Sequence, residues 1–205
     1  MPLFEFVKAS FASERKAKSV LSGIENELAK VWEDAFKSWS ELPEEDRRRL
    51  SETSYMMAIV LFGYAQSYAR EAFAGREEEG LVVCDAIPGV FSLYVKDCLL
   101  LRFNSLNRNH VVKLVGASET KKRFFNQLPL SGLNNSATRL TVGYRLSPAA
   151  TELVATEVSL QVGDDCAYFF PIGKNADIKR KPPAKTKPKP NSVVSNNPIR
   201  TKKAR

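Results

Sequence analysis

The chain has 205 residues, 43% of them apolar and 26% charged, with a formal net charge of +8; that is room for one ordinary domain plus an extension. Three cysteines and a single histidine exclude a cysteine- or histidine-rich metal site and a disulfide framework. The positive charge is unevenly placed. Eleven Lys/Arg stand against the lone acid Asp177 beyond Gly173, whereas the first 173 residues hold 20 basic and 22 acidic side chains.

The opening "MPLFEFVKASFASERK" has an apolar run too short for a secretory leader. With an odd number of cysteines, it predicts a cytoplasmic protein with buried, unpaired thiols. From Val20 to Trp39 the apolar residues Val20, Leu21, Ile24, Leu28, Val31, Trp32, Ala35, Phe36 and Trp39 fall at helical spacing, with charged residues between them. Pro43 interrupts, and "PEEDRRRL" places acids before bases, as a short helix favours. A second long helix follows, capped by Ser51 or Ser54 and ending near Gly75 or Gly80. Its segment "YMMAIVLFGYA" is shorter than the ~20 residues of a bilayer span. No membrane partner is expected. Being apolar all round, this helix is predicted in the middle of the fold.

After Gly80 the chain changes to short runs rich in β-branched and aromatic residues, from "LVVCDAI" to "CAYFFPI", separated by turn signals such as "NRNH", "SPAA" and "GDD". "SLYVKDCLLLRF" and "SLQVGDDCAYFF" read as hairpins. In "TELVATEVSLQV", Leu153, Ala155, Glu157, Ser159 and Gln161 alternate with Val154, Thr156, Val158, Leu160 and Val162. The second set is the expected core face and the first the wet one. Ser118 caps a short helix over "ETKKRFF". Beyond Gly173, five prolines and no aromatic residue predict disorder. The fold class is therefore α+β: an N-terminal helical hairpin or small bundle (1–80), then a mostly antiparallel β-sheet (81–173) forming one compact domain with it, then a disordered basic tail (174–205).

Few constellations carry chemistry. His110 has no sequence element that marks a nucleophilic partner, so a structural role is the plainer reading. Asp97, Glu119 and Lys121 resemble the spacing of PD-(D/E)xK nucleases, in which two acids hold a divalent metal and the lysine aids the attacking water. In that family the Glu-x-Lys ends an apolar strand. Here "GAS" separates Glu119 from "HVVKLV", and a capped helix start with solvated charges is the plainer account. No glycine-rich phosphate loop is present, and no cofactor is expected.

Two stretches offer nucleic-acid contacts. The tail supplies Lys179, Arg180, Lys181, Lys185, Lys187, Lys189, Lys202 and Lys203 for sequence-blind, salt-sensitive attraction. In "KKRFFNQ", Lys121, Lys122 and Arg123 interleave with Phe124 and Phe125, and Arg102, Arg108 and Lys113 lie nearby. The competing reading makes both phenylalanines core residues.

The segment "LTVGYRLSPAATELVATEVSLQVGDDCAYFFPI" resembles the end of small uncharacterised bacterial and phage proteins that accompany metallopeptidases of the ImmA type in regulatory or toxin–antitoxin-like gene pairs. Gly143, Tyr144, Leu146, Thr151 and Glu152 carry the likeness, and Ala150 stands where that pattern has glycine. The resemblance implies a bacterial or mobile-element regulatory role and brings no catalytic residue. The expectation is a non-enzymatic protein that binds another protein or nucleic acid, with a tail that adds electrostatic affinity. The alternatives are a metal-dependent nuclease, and a structural homo-oligomer with a solubilising tail.

Overall fold

The computed structural model describes residues 11–52, 54–87, 90–114, 116–131 and 133–173. The eight tail residues named above lie outside the described residues. Helices come first: α1 (Glu14–Leu21), α2 (Glu25–Glu41), α3 (Glu44–Ser51) and α4 (Ser54–Phe73). A 3-10 turn at Glu77–Glu79 leads into β1 (Leu81–Ile87), β2 (Val90–Val95) and β3 (Leu99–Ser105). The chain continues through α5 (Glu119–Phe125) to β4 (Thr138–Leu146), β5 (Leu153–Val162) and β6 (Asp165–Ile172). The fold is α+β, and the six strands lie in sequence order in one sheet. Among the described residues no helix is long and apolar enough to cross a membrane.

The two expected hairpins form, as β2–β3 and β5–β6. All strand pairs are antiparallel except β3 and β4, which run parallel with Leu99 opposite Thr138 and Ser105 opposite Tyr144. Parallel neighbours cannot be joined by a tight turn. Residues 106–137 therefore leave the sheet, cross one of its faces and return, carrying α5 with them.

Alternation then divides the strands between two covers. Leu99, Leu101 and Phe103 of β3, Leu140, Val142 and Tyr144 of β4, and Val158 and Leu160 of β5 face the helices in one large core. Trp32 of α2 anchors that layer. Its ring lies 4.5 Å from that of Tyr144, and its Nε1–H donates to the Val142 carbonyl at 3.2 Å. On the opposite face Leu100 packs with Leu106, Val112, Phe124, Phe125, Leu130 and Ala137 of the crossover.

Several expectations need correction. The helical run before Trp39 breaks at Gly23, whose φ of 98° suits the left-handed region glycine favours. Ser51 ends α3 instead of capping α4. The helix α4 buries Met57, Leu61, Ala65, Ala69 and Phe73, but Tyr55, Met56 and Ile59 are exposed, so it forms an outer layer. In β5 the expected wet face is covered by the crossover: Glu157, Ser159 and Gln161 are buried. Val154, expected in the core, is 43% exposed. The register shift after Arg145 pairs Arg145 with Ala155 and Leu146 with Leu153, which skips Val154 and reverses the local alternation.

The crossover starts close to the sheet because Gly143 leaves room. A Cβ at this position would lie 2.3 Å from Leu106 Cγ and 3.1 Å from the Asn104 carbonyl oxygen. Gly143→Ala is expected to push Leu106 outward and lower stability by about 1–3 kcal/mol, as overpacking does; urea denaturation checks this.

Candidate functional site

Beside the apolar packing on Leu100, the crossover is tied to the polar part of the sheet by hydrogen bonds. Gln127 donates to the Arg139 carbonyl and accepts from the Arg139 backbone N–H, at 2.9 and 3.0 Å. Gln161 does the same for Val112, at 3.1 and 2.8 Å. Ser159 Oγ donates to the His110 carbonyl at 2.6 Å. Two glutamine side chains, Gln127 of the crossover and Gln161 of β5, thus act as substitutes for a missing strand partner.

His110 sits in a turn with φ +62°, where non-glycine residues are strained. Its ring stacks on Phe169 at 3.4 Å, and Nδ1 lies 2.6 Å from Glu157 Oε2. Arg145 donates to the other oxygen, Oε1, from Nη2 at 2.8 Å and Nε at 3.2 Å. Burial alone would raise the Glu157 pKa; the His110 and Arg145 hydrogen bonds outweigh it and hold the carboxylate below its usual range. With Glu157 ionised, the shared proton resides on Nδ1. The nearby Cys166 is pushed up by burial and stays a thiol at neutral pH. The cluster fastens the crossover to β5.

A second group of charges lies on the crossover face of the sheet. The guanidinium of Arg102, on the crossover face of β3, lies 5.4 and 5.9 Å from the ring centres of Phe124 and Phe125. Arg139 lies 5.7 Å from the same Phe124 ring and donates to the Leu128 and Arg123 carbonyls and to Asn135 Oδ1. Burial lowers the pKa of Arg102 to about 10. It also lowers Lys121, with the Arg102 charge adding to the effect.

Among the described residues, none of Arg102, Lys121, Lys122, Arg123 and Arg139 takes part in a salt bridge, whereas Lys18, Lys37, Arg49 and Arg76 of the helical part all do. Residues 99–151 carry eight Lys/Arg against the single acid Glu119. The rest of the first 173 residues carries 12 basic and 21 acidic side chains. A near-neutral body is therefore strongly polarised. Charge counted by segment would have revealed this; charge counted over the whole body cancels it.

The residues singled out from the sequence separate as follows. Ser118 caps α5, its Oγ accepting from the Lys121 backbone N–H. Phe124 and Phe125 are 1% and 2% exposed, core residues rather than stacking platforms. Lys122 is exposed, while Lys121 and Arg123 are half-buried; Arg123 donates to the Pro129 carbonyl at 2.7 Å. Asp97 lies exposed in the β2–β3 turn, and Glu119 opens α5, also exposed. No hydrogen bond or ion pair joins Asp97, Glu119 and Lys121 to one another, and the Glu-x-Lys stands on a helix instead of a strand end. Among the described residues no three His, Cys, Asp or Glu side chains are grouped to hold a metal ion.

Comparison with known proteins finds no matching family model, no matching curated sequence and no matching solved structure.

The Glu157 cluster makes a prediction of definite sign. A carboxylate whose pKa is depressed on folding adds stability above the unfolded value, roughly 4.3, and loses it as the pH falls through the lower folded value. Glu157→Ala is expected to cost about 3 kcal/mol at pH 7. In urea denaturation, the gap between this variant and the wild type should narrow as the pH falls from 5 to 3.

Proposed function

We propose that this chain is a non-enzymatic binding protein for a polyanion, with nucleic acid as the partner. The reading rests on one observation: among the described residues Arg102, Arg108, Lys113, Lys121, Lys122, Arg123 and Arg139 make no ion pair, Arg145 with Glu157 being the exception in this segment, whereas Lys18, Lys37, Arg49 and Arg76 of the helical part are paired. Unpaired lysines and arginines gathered on one surface neutralise phosphates and release counterions. The basic tail adds to the same attraction. With Phe124 and Phe125 buried, contact goes through the phosphate backbone and is blind to sequence. A bacterial or phage regulatory setting is supported only by the resemblance around Gly143 and Tyr144.

The nuclease alternative requires Asp97 and Glu119 to share a metal, and no contact supports this. The homo-oligomer alternative has one favourable observation, the exposed Tyr55, Met56 and Ile59 on α4. A stable oligomer seen by light scattering and dispersed by Ile59→Lys would establish it.

Fluorescence anisotropy with labelled oligonucleotides tests the polyanion reading. Reversing the exposed Arg108, Lys113 and Lys122 to glutamate is expected to weaken binding at least about tenfold at low salt and flatten its salt dependence. Removal of the residues after Gly173 should weaken it further. Binding that is unchanged in both variants contradicts the reading. Added Mg²⁺ should produce no cleavage with either wild type or Glu119→Ala.

A further inference from the structure

We propose that Arg102, Lys121 and the side-chain amide of Asn104 form a subsite for one phosphate group in the floor of the crossover surface. It rests on the polyanion reading and names the group that the surface grips. Three observations converge on it.

Among the described residues Arg102 makes no hydrogen bond and no ion pair, yet its guanidinium is held against two phenyl rings. Its position is fixed while its five N–H donors remain unused. Lys121 stands three and four residues before those phenylalanines on α5, the spacing that shares a helix face. Burial, with the Arg102 charge adding to it, lowers its pKa, and among the described residues neither cation makes an ion pair. Asn104 follows Arg102 by two positions and so shares its sheet face. Its Nδ2 is buried and lacks any acceptor. Across the sheet Arg102 is flanked by Ser92 and Thr141, neither of them charged.

Arg102 and Lys121 can only donate, and Asn104 turns an unused donor, Nδ2, to the same face. A buried donor without an acceptor, as at Asn104 Nδ2, is costly, and two half-buried cations without an acid add to the cost. A bound anion removes both costs. A carboxylate brings two oxygens in one plane, which satisfies the guanidinium fork alone. A phosphate group presents oxygens in several directions, matching donors that arrive from a strand on one side and a helix on the other.

Arg102→Met in the full chain is the decisive variant, since it keeps the length of the side chain and its packing on the rings. The probes are inorganic phosphate, a labelled single-stranded oligonucleotide and a polyglutamate peptide. Phosphate is expected to raise the melting temperature of the wild type and to leave Arg102→Met unmoved. Oligonucleotide affinity should fall about tenfold in Arg102→Met, with the salt slope lower by about one. Without ligand the variant should melt at the same temperature or a few degrees higher, because an unpaired, half-buried charge has gone. A purely structural Arg102 would instead lower it. Arg102→Lys should recover part of the salt slope.

Undiminished phosphate response and oligonucleotide affinity in Arg102→Met overturn the proposal, as does stabilisation by polyglutamate but not by phosphate. Should the Arg108, Lys113 and Lys122 reversals abolish oligonucleotide binding while Arg102→Met does not, the polyanion reading stands and the subsite fails. Should the wild type bind no oligonucleotide yet show an Arg102-dependent phosphate response, the subsite stands as a site for free phosphate and the polyanion reading fails.

Discussion

The parallel pairing of β3 with β4 is the constraint on which the rest of this molecule depends. In a sheet whose strands otherwise follow one another in antiparallel order, this one pair forces 32 residues, 106–137, out of the sheet and across it. The helices already occupy one face, so the crossover takes the other. It then lies over side chains that an uncovered sheet would have given to water. Some are apolar, such as Leu100, but Arg102, Asn104, Arg139, Glu157, Ser159 and Gln161 are polar or charged. A polar group sealed in this way must find a partner, since an unsatisfied one costs about 1–3 kcal/mol. Most do, through Gln127, the His110 backbone and ring, and the Val112 backbone. Asn104 Nδ2 and Arg139 Nε are the buried exceptions among the described residues.

The distribution of charge follows the same division. The helical layer sets its charges in neighbouring turns, where Glu14 meets Lys18 and Glu45 meets Arg49. Such exposed pairs contribute little stability. The crossover collects cations with almost no acids among them. Stability alone would favour an acid near Arg102 or an apolar residue in its place.

Much of this architecture could be read from the chain beforehand. Turn chemistry such as "GDD" located the β5–β6 hairpin, and Ser118 announced the start of α5, because both depend on residues a few positions apart. What escaped depends on distant residues. Nothing local shows that β3 pairs in parallel with β4, so nothing local shows that the polar side of β5 is roofed. Glu157 and Gln161 therefore read as solvated when they are buried. The His110–Glu157 contact joins residues 47 positions apart. Gly143 stood out as part of a sequence likeness, and its physical meaning, the close passage of Leu106, belongs to the packed structure. The polarity of the body was present in the sequence throughout, hidden by summing over both halves.

Chemical-shift mapping of the full chain with a short oligonucleotide tests the polyanion surface most directly. The largest perturbations are expected at Arg102 and Asn104 of β3, along α5 from Glu119 to Phe125, and in residues 106–114, with the acidic helix α2 unmoved. Perturbations confined to the helical layer, or absent from the folded body altogether, would contradict it.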